Sequence, residues 1–456
     1  MAWVRWMPRK THPAPPWWKT LLVAAICLAV YHSNGLVLEE VDAIPTAYVA
    51  WSVLRHGDLT LERYPEILRF QQVVLPRADH RVSRYPPGAG LAALPFLLPT
   101  ALAGGPTPTY EQMRWRGKWM GSTFTAATVA LFFWLASQVA PRGAFPATVV
   151  LGLGTTLAST AAQAGWAHGP TTFWIMVGTC LLWKHGETTP RRSRYALAAG
   201  FALGTATLTR AMAGVFLFSA GLLALAGRRP RTAVLLALGA LLPVLALLAY
   251  NDTYFDSPVA GGYAASRHAR GNWSTPTHWG LAGLLVSPSR GLFVFSPALL
   301  VALAGFREGS RWLCATTAQT RGALGPLLIG SGLQTLICAT WTEWPGGWSY
   351  GPRLLTETMP AWALLMAVGY QRWATDRRRR AVVAALVAIS IAIHLAGIQE
   401  RSGYHAWHRR IEAGETSYWS LQDHLIAAQL RGPHAPVAAS RRGELLAPAT
   451  GSTSSK

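Results

Sequence analysis

The chain has 456 residues, of which 51% are hydrophobic and only 13% are charged, and its formal net charge is +21. An ordinary soluble domain has about 25% charged residues, so this composition excludes that class. The lysines and arginines form short clusters between apolar runs. This distribution is typical of the cytoplasmic loops of membrane proteins and excludes a nucleic-acid-binding face. The four cysteines lack CxxC or metal-ligand spacing, which predicts neither disulfides nor a zinc site.

Apolar runs of about 16 to 22 residues recur along most of the chain, which is the pattern of membrane-spanning helices. We therefore predict an all-α, polytopic integral membrane protein with about 11 to 13 transmembrane helices. Residues 1–16 carry Arg5, Arg9 and Lys10, and no small-residue cleavage site follows the first apolar run. These features predict a cytoplasmic N-terminus and an uncleaved first helix.

The transmembrane domain is predicted to cover residues 17–398. Its first span, residues 17–38, leads into a long external loop, residues 39–88, which is proposed as the catalytic loop. Within this loop, residues 43–56 and 61–74 have apolar sides suited to short helices that lie on the bilayer surface.

The next segments leave one inconsistency. Residues 88–105 are predicted to be the second span, and the basic linker 106–118 is predicted to be cytoplasmic. Two full spans at 145–162 and 171–183 would then place the following arginines outside, against the charge rule. Either one of these stretches is re-entrant or the linker is misplaced, and both alternatives remain open.

From residue 195 onward, the charges agree with spans that alternate in direction. Arg210, between two short spans, should lie near the external face. Residues 251–290 form a second external loop, and residues 399–430 are predicted to be an external segment on the membrane surface. Residues 431–456 are rich in Ala, Pro, Ser and Gly and are predicted to be disordered. The predicted spans are 195–209, 211–227, 232–250, 291–306, 323–341, 354–370 and 381–398.

The unusual polar motifs all fall on the predicted external side, whereas the centres of the spans are nearly free of charge. A transporter is expected to place ionisable groups within its spans. An arginine can hold phosphate oxygens as charge develops, and a carboxylate can take the proton from an acceptor hydroxyl. Carboxylates and arginines together therefore suit transfer of a group from a lipid-linked phosphate to a hydroxyl. The motifs are residues 39–42, 84–88, 251–252, 287–291 and 341–353.

Each motif also has a purely structural interpretation. Pro86-Pro87-Gly88 can simply start a helix, and Arg353 or Arg290 can anchor a helix end at the interface. His168 can be an ordinary packed histidine, and the tryptophans near residue 344 can form an interfacial belt. A flippase or transporter of lipid-linked intermediates and a noncatalytic membrane scaffold therefore remain as alternative functions.

The order of parts resembles the GT-C glycosyltransferases, polytopic enzymes that use polyprenyl-phosphate sugars and include protein O-mannosyltransferases and aminoarabinose transferases. The shared features are a span, an acid just outside it, a long loop with interfacial helices, and the proline-rich start at Tyr85-Pro86-Pro87-Gly88. The resemblance implies that Asp42 is the catalytic base and that Arg353 binds the donor phosphate, with Arg290 and Arg84 as weaker candidates. The residues expected to line the substrate are Glu39, Glu40, Tyr85, His168, Trp344, Trp348 and Tyr350.

Two features depart from the family pattern. The metal-binding Asp-x-Asp of the oligosaccharyltransferase branch is only approximated by Glu40-Val41-Asp42, and Trp166-Ala167-His168 occupies the region where several branches have a second acid. The resemblance therefore favours a mechanism without a metal or other cofactor.

The sequence thus predicts an inverting glycosyltransferase in the cytoplasmic (inner) membrane, with its C-terminus external. Its expected partners are a polyprenyl-phosphate-linked sugar, the lipid bilayer and a hydroxyl of a cell-envelope acceptor, and no nucleic acid.

Overall fold

A computed structural model describes residues 12–77, 79–186, 192–265, 273–313, 320–399 and 402–432. Residues 1–11 of the predicted N-terminal segment and 433–456 of the predicted disordered tail lie outside this part of the chain. Within it, helices dominate and the strands are limited to one hairpin, so the all-α prediction is confirmed.

The helices follow the apolar runs of the sequence closely. Short 3-10 or π-helical turns connect several of them, at Val41–Ala43, Leu157–Ala161, Ala211–Ala213, Pro297–Val301, Thr320–Leu324 and Arg353–Thr358. The helices are α1 (Trp17–His32), α2 (Pro45–His56), α3 (Pro65–Leu68), α4 (Gly88–Leu102), α5 (Tyr110–Val139), α6 (Pro141–Leu153), α7 (His168–Gly186), α8 (Arg192–Thr209), α9 (Gly214–Ala226), α10 (Pro230–Phe255), α11 (Gly261–Ala265), α12 (Thr277–Val286), α13 (Leu292–Phe295), α14 (Ala302–Leu313), α15 (Gly325–Thr340), α16 (Met359–Trp373), α17 (Arg377–Ala396), α18 (Ser402–Glu412) and α19 (Leu425–Arg431).

Five helical segments in the described chain are long and apolar enough to cross a membrane. Shorter apolar helices, including α1 and α9, pack beside them. The buried centre of the bundle is apolar, with α5, α6, α7, α15 and α16 supplying much of it. The five long segments are Tyr110–Val139, Pro141–Ala161, Pro230–Phe255, Arg321–Thr340 and Arg377–Ala396.

Contacts between α1 and α5 define the two ends of the bundle. The backbone N–H of His12, before α1, donates to Gln138 O near the end of α5. Arg114, near the start of α5, forms an ion pair with Glu39, which follows α1. The two helices are therefore antiparallel, and α5 begins at the end of the bundle that holds Asp42, which we call the site end.

This arrangement places the linker, residues 106–118, at the same end of the bundle as residues 39–42. The charge pattern predicted these two segments on opposite sides of the membrane, with residues 88–105 as a span between them, so that arrangement is corrected. Arg114 belongs to that linker and lies at the site end, so α4 starts and finishes at the same end. Arg114 is bound to the Glu39 carboxylate and to Val37 O, so its position is set by contacts within the protein rather than by the charge rule. Without α4 as a span, α6 and α7 both run between the two ends of the bundle, since α7 begins beside Glu357 and ends with Trp183 beside Gln138. The inconsistency in the predicted topology then disappears.

The first loop differs from the predicted pair of surface helices. In α2, residues Pro45 to Ser52 are all buried, so this helix packs into the protein more fully than a helix with one apolar side. The predicted helix at 61–74 is wrong: only Pro65–Leu68 is helical, and strands β1 (Val74–Arg77) and β2 (His80–Ser83) follow as an antiparallel hairpin. Val74 and Val82 favour the extended backbone because β-branched side chains pack well on a pleated surface.

The second loop and the tail are also more structured than predicted. Helix α10 continues into the predicted loop as far as Phe255, and α12 adds an apolar helix within it, while residues 266–272 lie outside the described chain. Residues 402–432 fold into α18 and α19, which pack against each other and against the turn around Trp348.

Candidate active site

Asp42 and Arg353 meet at the site end of the bundle. Arg353 Nη1 donates to Asp42 Oδ2 over 2.6 Å, although 311 positions separate the two residues in sequence. The Arg353 side chain is 10% exposed and that of Asp42 is 34% exposed, so the carboxylate is the accessible member of the pair. The predicted base and the predicted phosphate-binding arginine therefore form one site.

The surroundings of Asp42 favour its ionised form. Burial raises the pKa of Asp42, but Arg353, a hydrogen bond from Tyr85 and the charge of Arg84 together hold it below its ordinary value. The Arg84 guanidinium lies 4.7 Å from the centre of the Tyr263 ring, which in turn packs against Tyr85. The proline-rich turn thus brings both of its predicted site residues to Asp42.

A glycine-rich turn positions Arg353. Gly346, Gly347 and Gly351 adopt φ values of 77°, 61° and 85°, a region that other residues rarely occupy. The turn ends at Pro352, and Arg353 starts a short 3-10 helix. Its guanidinium carbon lies 4.7 Å from the centre of the Trp166 ring, so a cation–π contact holds the charged group against an aromatic face.

A second polar cluster lies beside this pair and is centred on Glu357. Its side chain is 2% exposed, and its Oε1 accepts from Arg210 Nη1 over 2.8 Å and lies 2.8 Å from His168 Nδ1. Its Oε2 accepts from Gln334 Nε2 over 2.8 Å. Arg210 lies at the same end of the bundle as Asp42. His168 belongs to this ion-paired cluster, and its ring centre lies 6.0 Å from that of Trp166, which contacts Arg353.

The chain between α1 and Asp42 is held by basic residues of α5. Arg114 donates to Glu39 Oε2 over 3.1 Å and to Val37 O over 2.8 Å. Lys118 Nζ donates to Asn34 Oδ1 over 2.7 Å. Burial outweighs the attraction of Arg114 and raises the pKa of Glu39 to about 7. Glu39 thus anchors the loop instead of lining the accessible site.

Three predicted site residues lie away from the Asp42–Arg353 pair. Arg290 is completely buried and bonds to backbone carbonyls of the glycine-rich turn. Trp344 packs under Tyr418, and Tyr350 is buried with its hydroxyl donating to Ile393 O. These residues support the turn that carries Arg353.

The two remaining predicted residues face the C-terminal helices. Trp348 stacks on His408 with ring centres 4.8 Å apart and donates from Nε1 to Glu412 Oε1 over 2.6 Å. Glu40 Oε1 lies 3.4 Å from His405 Nε2. Both contacts join the neighbourhood of the site to residues 402–412.

Two features of this region were not predicted from the sequence. They are Glu357 and the contact of Trp166 with Arg353. Glu357 was nevertheless signalled by its setting, because it is an acid that directly precedes an apolar helix and follows Arg353 by one turn. In the part of the chain that the structure describes, no group of three or more His, Cys, Asp or Glu side chains is placed to hold a metal ion. The metal-independent mechanism stays a prediction.

Comparison with known proteins identifies the fold. No family model matches the chain, and a search of curated proteins found no match. The structure is similar to that of ArnT from Cupriavidus metallidurans bound to undecaprenyl phosphate, with a TM-score of 0.51 and 13% identity over 91% of this chain and 74% of that one.

Two structures of an archaeal oligosaccharyltransferase from Archaeoglobus fulgidus are similar to the same degree. One is a complex with Zn and sulfate, with a TM-score of 0.51 and 12% identity over 88% of this chain and 57% of that one. The other, AglB with an inhibitory peptide and a dolichol-phosphate, has a TM-score of 0.51 and 11% identity over 89% and 60% of the two chains. This chain thus spans less than two thirds of the oligosaccharyltransferase. The resemblance predicted from the sequence is confirmed at the level of the fold, which this chain shares with ArnT and with the oligosaccharyltransferase.

Proposed function

We propose that this protein is an inverting glycosyltransferase that moves a sugar from a polyprenyl-phosphate donor to a hydroxyl of a cell-envelope acceptor at the external face of the inner membrane. The observation that carries the proposal is the Asp42–Arg353 pair, in which an accessible carboxylate touches a buried arginine. The fold shared with ArnT, which was crystallised with undecaprenyl phosphate, supports a lipid-phosphate partner.

In the proposed reaction, the Asp42 carboxylate takes the proton of the acceptor hydroxyl while the hydroxyl oxygen bonds to the anomeric carbon. The bond from that carbon to the phosphate oxygen breaks, and the lipid phosphate leaves with the electron pair. Attack opposite the leaving group inverts the anomeric configuration. Arg353, assisted by Arg84, stabilises the growing negative charge of the phosphate.

The ion pair also explains how donor binding prepares the base. Burial raises the pKa of Asp42, but Arg353 and its neighbours hold it below its ordinary value, which makes Asp42 a weak proton acceptor. A lipid phosphate competes for the same guanidinium. As Arg353 turns to the phosphate, the Asp42 carboxylate loses its partner and its proton affinity rises, so base strength increases when the donor is present.

The test uses purified full-length protein in lipid nanodiscs, with radiolabelled polyprenyl-phosphate sugars and cell-envelope fractions. The expected result is label in an acceptor product together with released lipid phosphate. Asp42→Asn should insert normally and lose transfer, while Glu39→Gln, a loop anchor of similar size, should retain most of it. Full activity of the Asn variant would exclude Asp42 as the base. If the protein in liposomes instead moves intact donor between the leaflets and releases no lipid phosphate, the protein is a transporter.

A further inference from the structure

We propose that the C-terminal segment, residues 402–432, is a clamp that holds the loops of Asp42 and Arg353 in their working positions, with His408 and Arg290 as positioning residues. The inference rests on the proposed function, since the clamp affects turnover only if these two loops perform the transfer. A continuous set of contacts supports the clamp, because it connects one helix, α18, to both Asp42 and Arg353.

The first set of contacts leads to Arg353. Arg290 Nη2 donates to Gly347 O over 2.8 Å and contacts His408 Nε2 at 3.0 Å, and Nη1 donates to Ser349 O. A β-carbon built on Gly347 would lie 3.9 Å from Nη2 of Arg353, so this glycine is directly beside the phosphate-binding candidate. His408 is thus connected to Arg353 through the guanidinium of Arg290 and the backbone of the turn that contains Gly347.

Arg290 is suited to this role by its burial. It is fully enclosed, and its guanidinium carbon lies 5.8 Å and 5.5 Å from the ring centres of Trp407 and Tyr418. Both rings belong to the C-terminal segment. A buried guanidinium that loses an acceptor is costly, so its carbonyl partners are held firmly while His408 and the rings remain in place.

The second set of contacts leads to Asp42. His405 Nε2 lies 3.4 Å from Glu40 Oε1, and Glu40 precedes Asp42 by two residues. His405 and His408 are three positions apart in α18, so they project from the same side of the helix. One rigid helix therefore contacts both loops, and the distance between the loops is set by the spacing along α18.

The clamp is a folded unit with its own attachment to the bundle. Asp423 accepts from Arg410 over 2.8 Å and from Arg431 over 3.0 Å, which ties α18 to the start and end of α19. The backbone N–H of Leu425 donates to Ser289 Oγ over 3.2 Å, directly before Arg290. The segment therefore docks on the same turn that Arg290 supports.

The experiment compares three variants of the full-length protein in nanodiscs. His408→Leu removes the acceptor that Arg290 contacts, His408→Gln keeps an acceptor there, and Arg409→Ala is a control on the exposed side of the same helix. Transfer kinetics separate kcat from the donor KM. Hydrogen–deuterium exchange reports the order of residues 344–353 independently of activity.

His408→Leu should lower kcat by about 10- to 100-fold, because loops displaced by a fraction of an ångström misalign the reacting groups. Its donor KM should change by less than about threefold, and His408→Gln should recover part of kcat. Exchange in residues 344–353 should be faster in the Leu variant, and Arg409→Ala should match the wild type throughout. If His408→Leu has the kcat of the wild type, or if its residues 344–353 exchange at the wild-type rate, the proposed clamp is wrong.

Failure of the proposed function is distinguishable from failure of the clamp. If the wild-type protein transfers no sugar, the exchange measurement still decides: faster exchange in His408→Leu upholds the clamp, and unchanged exchange overturns it.

Discussion

Arg353 offers the sharpest perturbation of the proposed site. Arg353→Gln removes the charge that contacts Asp42 at 2.6 Å, and Arg353→Lys keeps a charge but loses the two-pronged contact with phosphate oxygens. A single donor aimed at charge that develops in the transition state contributes about 2 to 4 kcal/mol. The Gln variant should therefore lose about 30- to 1000-fold in kcat, and the Lys variant should lie between it and the wild type.

The same substitution should move the pH dependence of kcat/KM, which reports the ionisation of the free enzyme. In the wild type, burial raises the pKa of Asp42, but Arg353, Tyr85 and Arg84 lower it below its ordinary value. A lowered pKa keeps the carboxylate ionised at a pH where an ordinary aspartate is protonated. Removing the charge of Arg353 leaves burial less opposed, so the acidic limb should shift to higher pH in the Gln variant and much less in the Lys variant.

The assay is single-turnover transfer from a labelled donor between about pH 3.5 and pH 8, a range set by ordinary carboxyl pKa values. Arg55→Gln is the matched control, since Arg55 is an exposed residue that donates to Ala101 O at the far end of α2. Equal activity of wild type, Lys and Gln variants would reduce Arg353 to a structural anchor. A large loss of activity with an unmoved acidic limb would show that Asp42 is not the titrating base.

Two further predictions concern stability and topology. Glu357→Ala should destabilise the protein by about 3 to 5 kcal/mol, because it removes the buried carboxylate that pairs with the partly buried Arg210 and contacts the buried His168 and Gln334. A thermal melt in detergent measures this change, and an unchanged midpoint would argue against an ionised Glu357. A cysteine at Ser417 should react with an impermeant label added to intact spheroplasts, whereas one at Ser193 should not. The reverse labelling pattern would invert the orientation and remove the site from the external face.

The sequence predicted the central pair because each partner has a local signal. Asp42 follows the first apolar run by a few residues, where a carboxylate is costly unless it has a function or contact with water. Arg353 follows a turn whose glycines and proline mark an unusual backbone, and it precedes an apolar helix. The family resemblance then assigned both to one reaction, and the structure brings them into contact across 311 positions.

The misplaced elements depended on contacts that have no local signal. Helix α4 is as apolar as a spanning helix, and its true position follows only from the pairing of Arg114 with Glu39 across the loop. Arg290 has the same surroundings in sequence as a phosphate-binding arginine, but the carbonyls it contacts come from a turn more than 50 residues away. Positions of this kind are set by packing, which a hydropathy pattern does not encode.

The charges at the site are balanced throughout the proposed reaction. Glu357 neutralises Arg210, which leaves Arg353 and Arg84 facing the single carboxylate of Asp42. This set has one excess positive charge, which a phosphodiester donor with one negative charge cancels. After transfer, Asp42 holds the acceptor proton and is neutral, while the departing phosphate monoester approaches two negative charges at neutral pH. The two arginines then match the product, so charge moves from Asp42 to the phosphate without leaving an uncompensated ion in a poorly solvated layer.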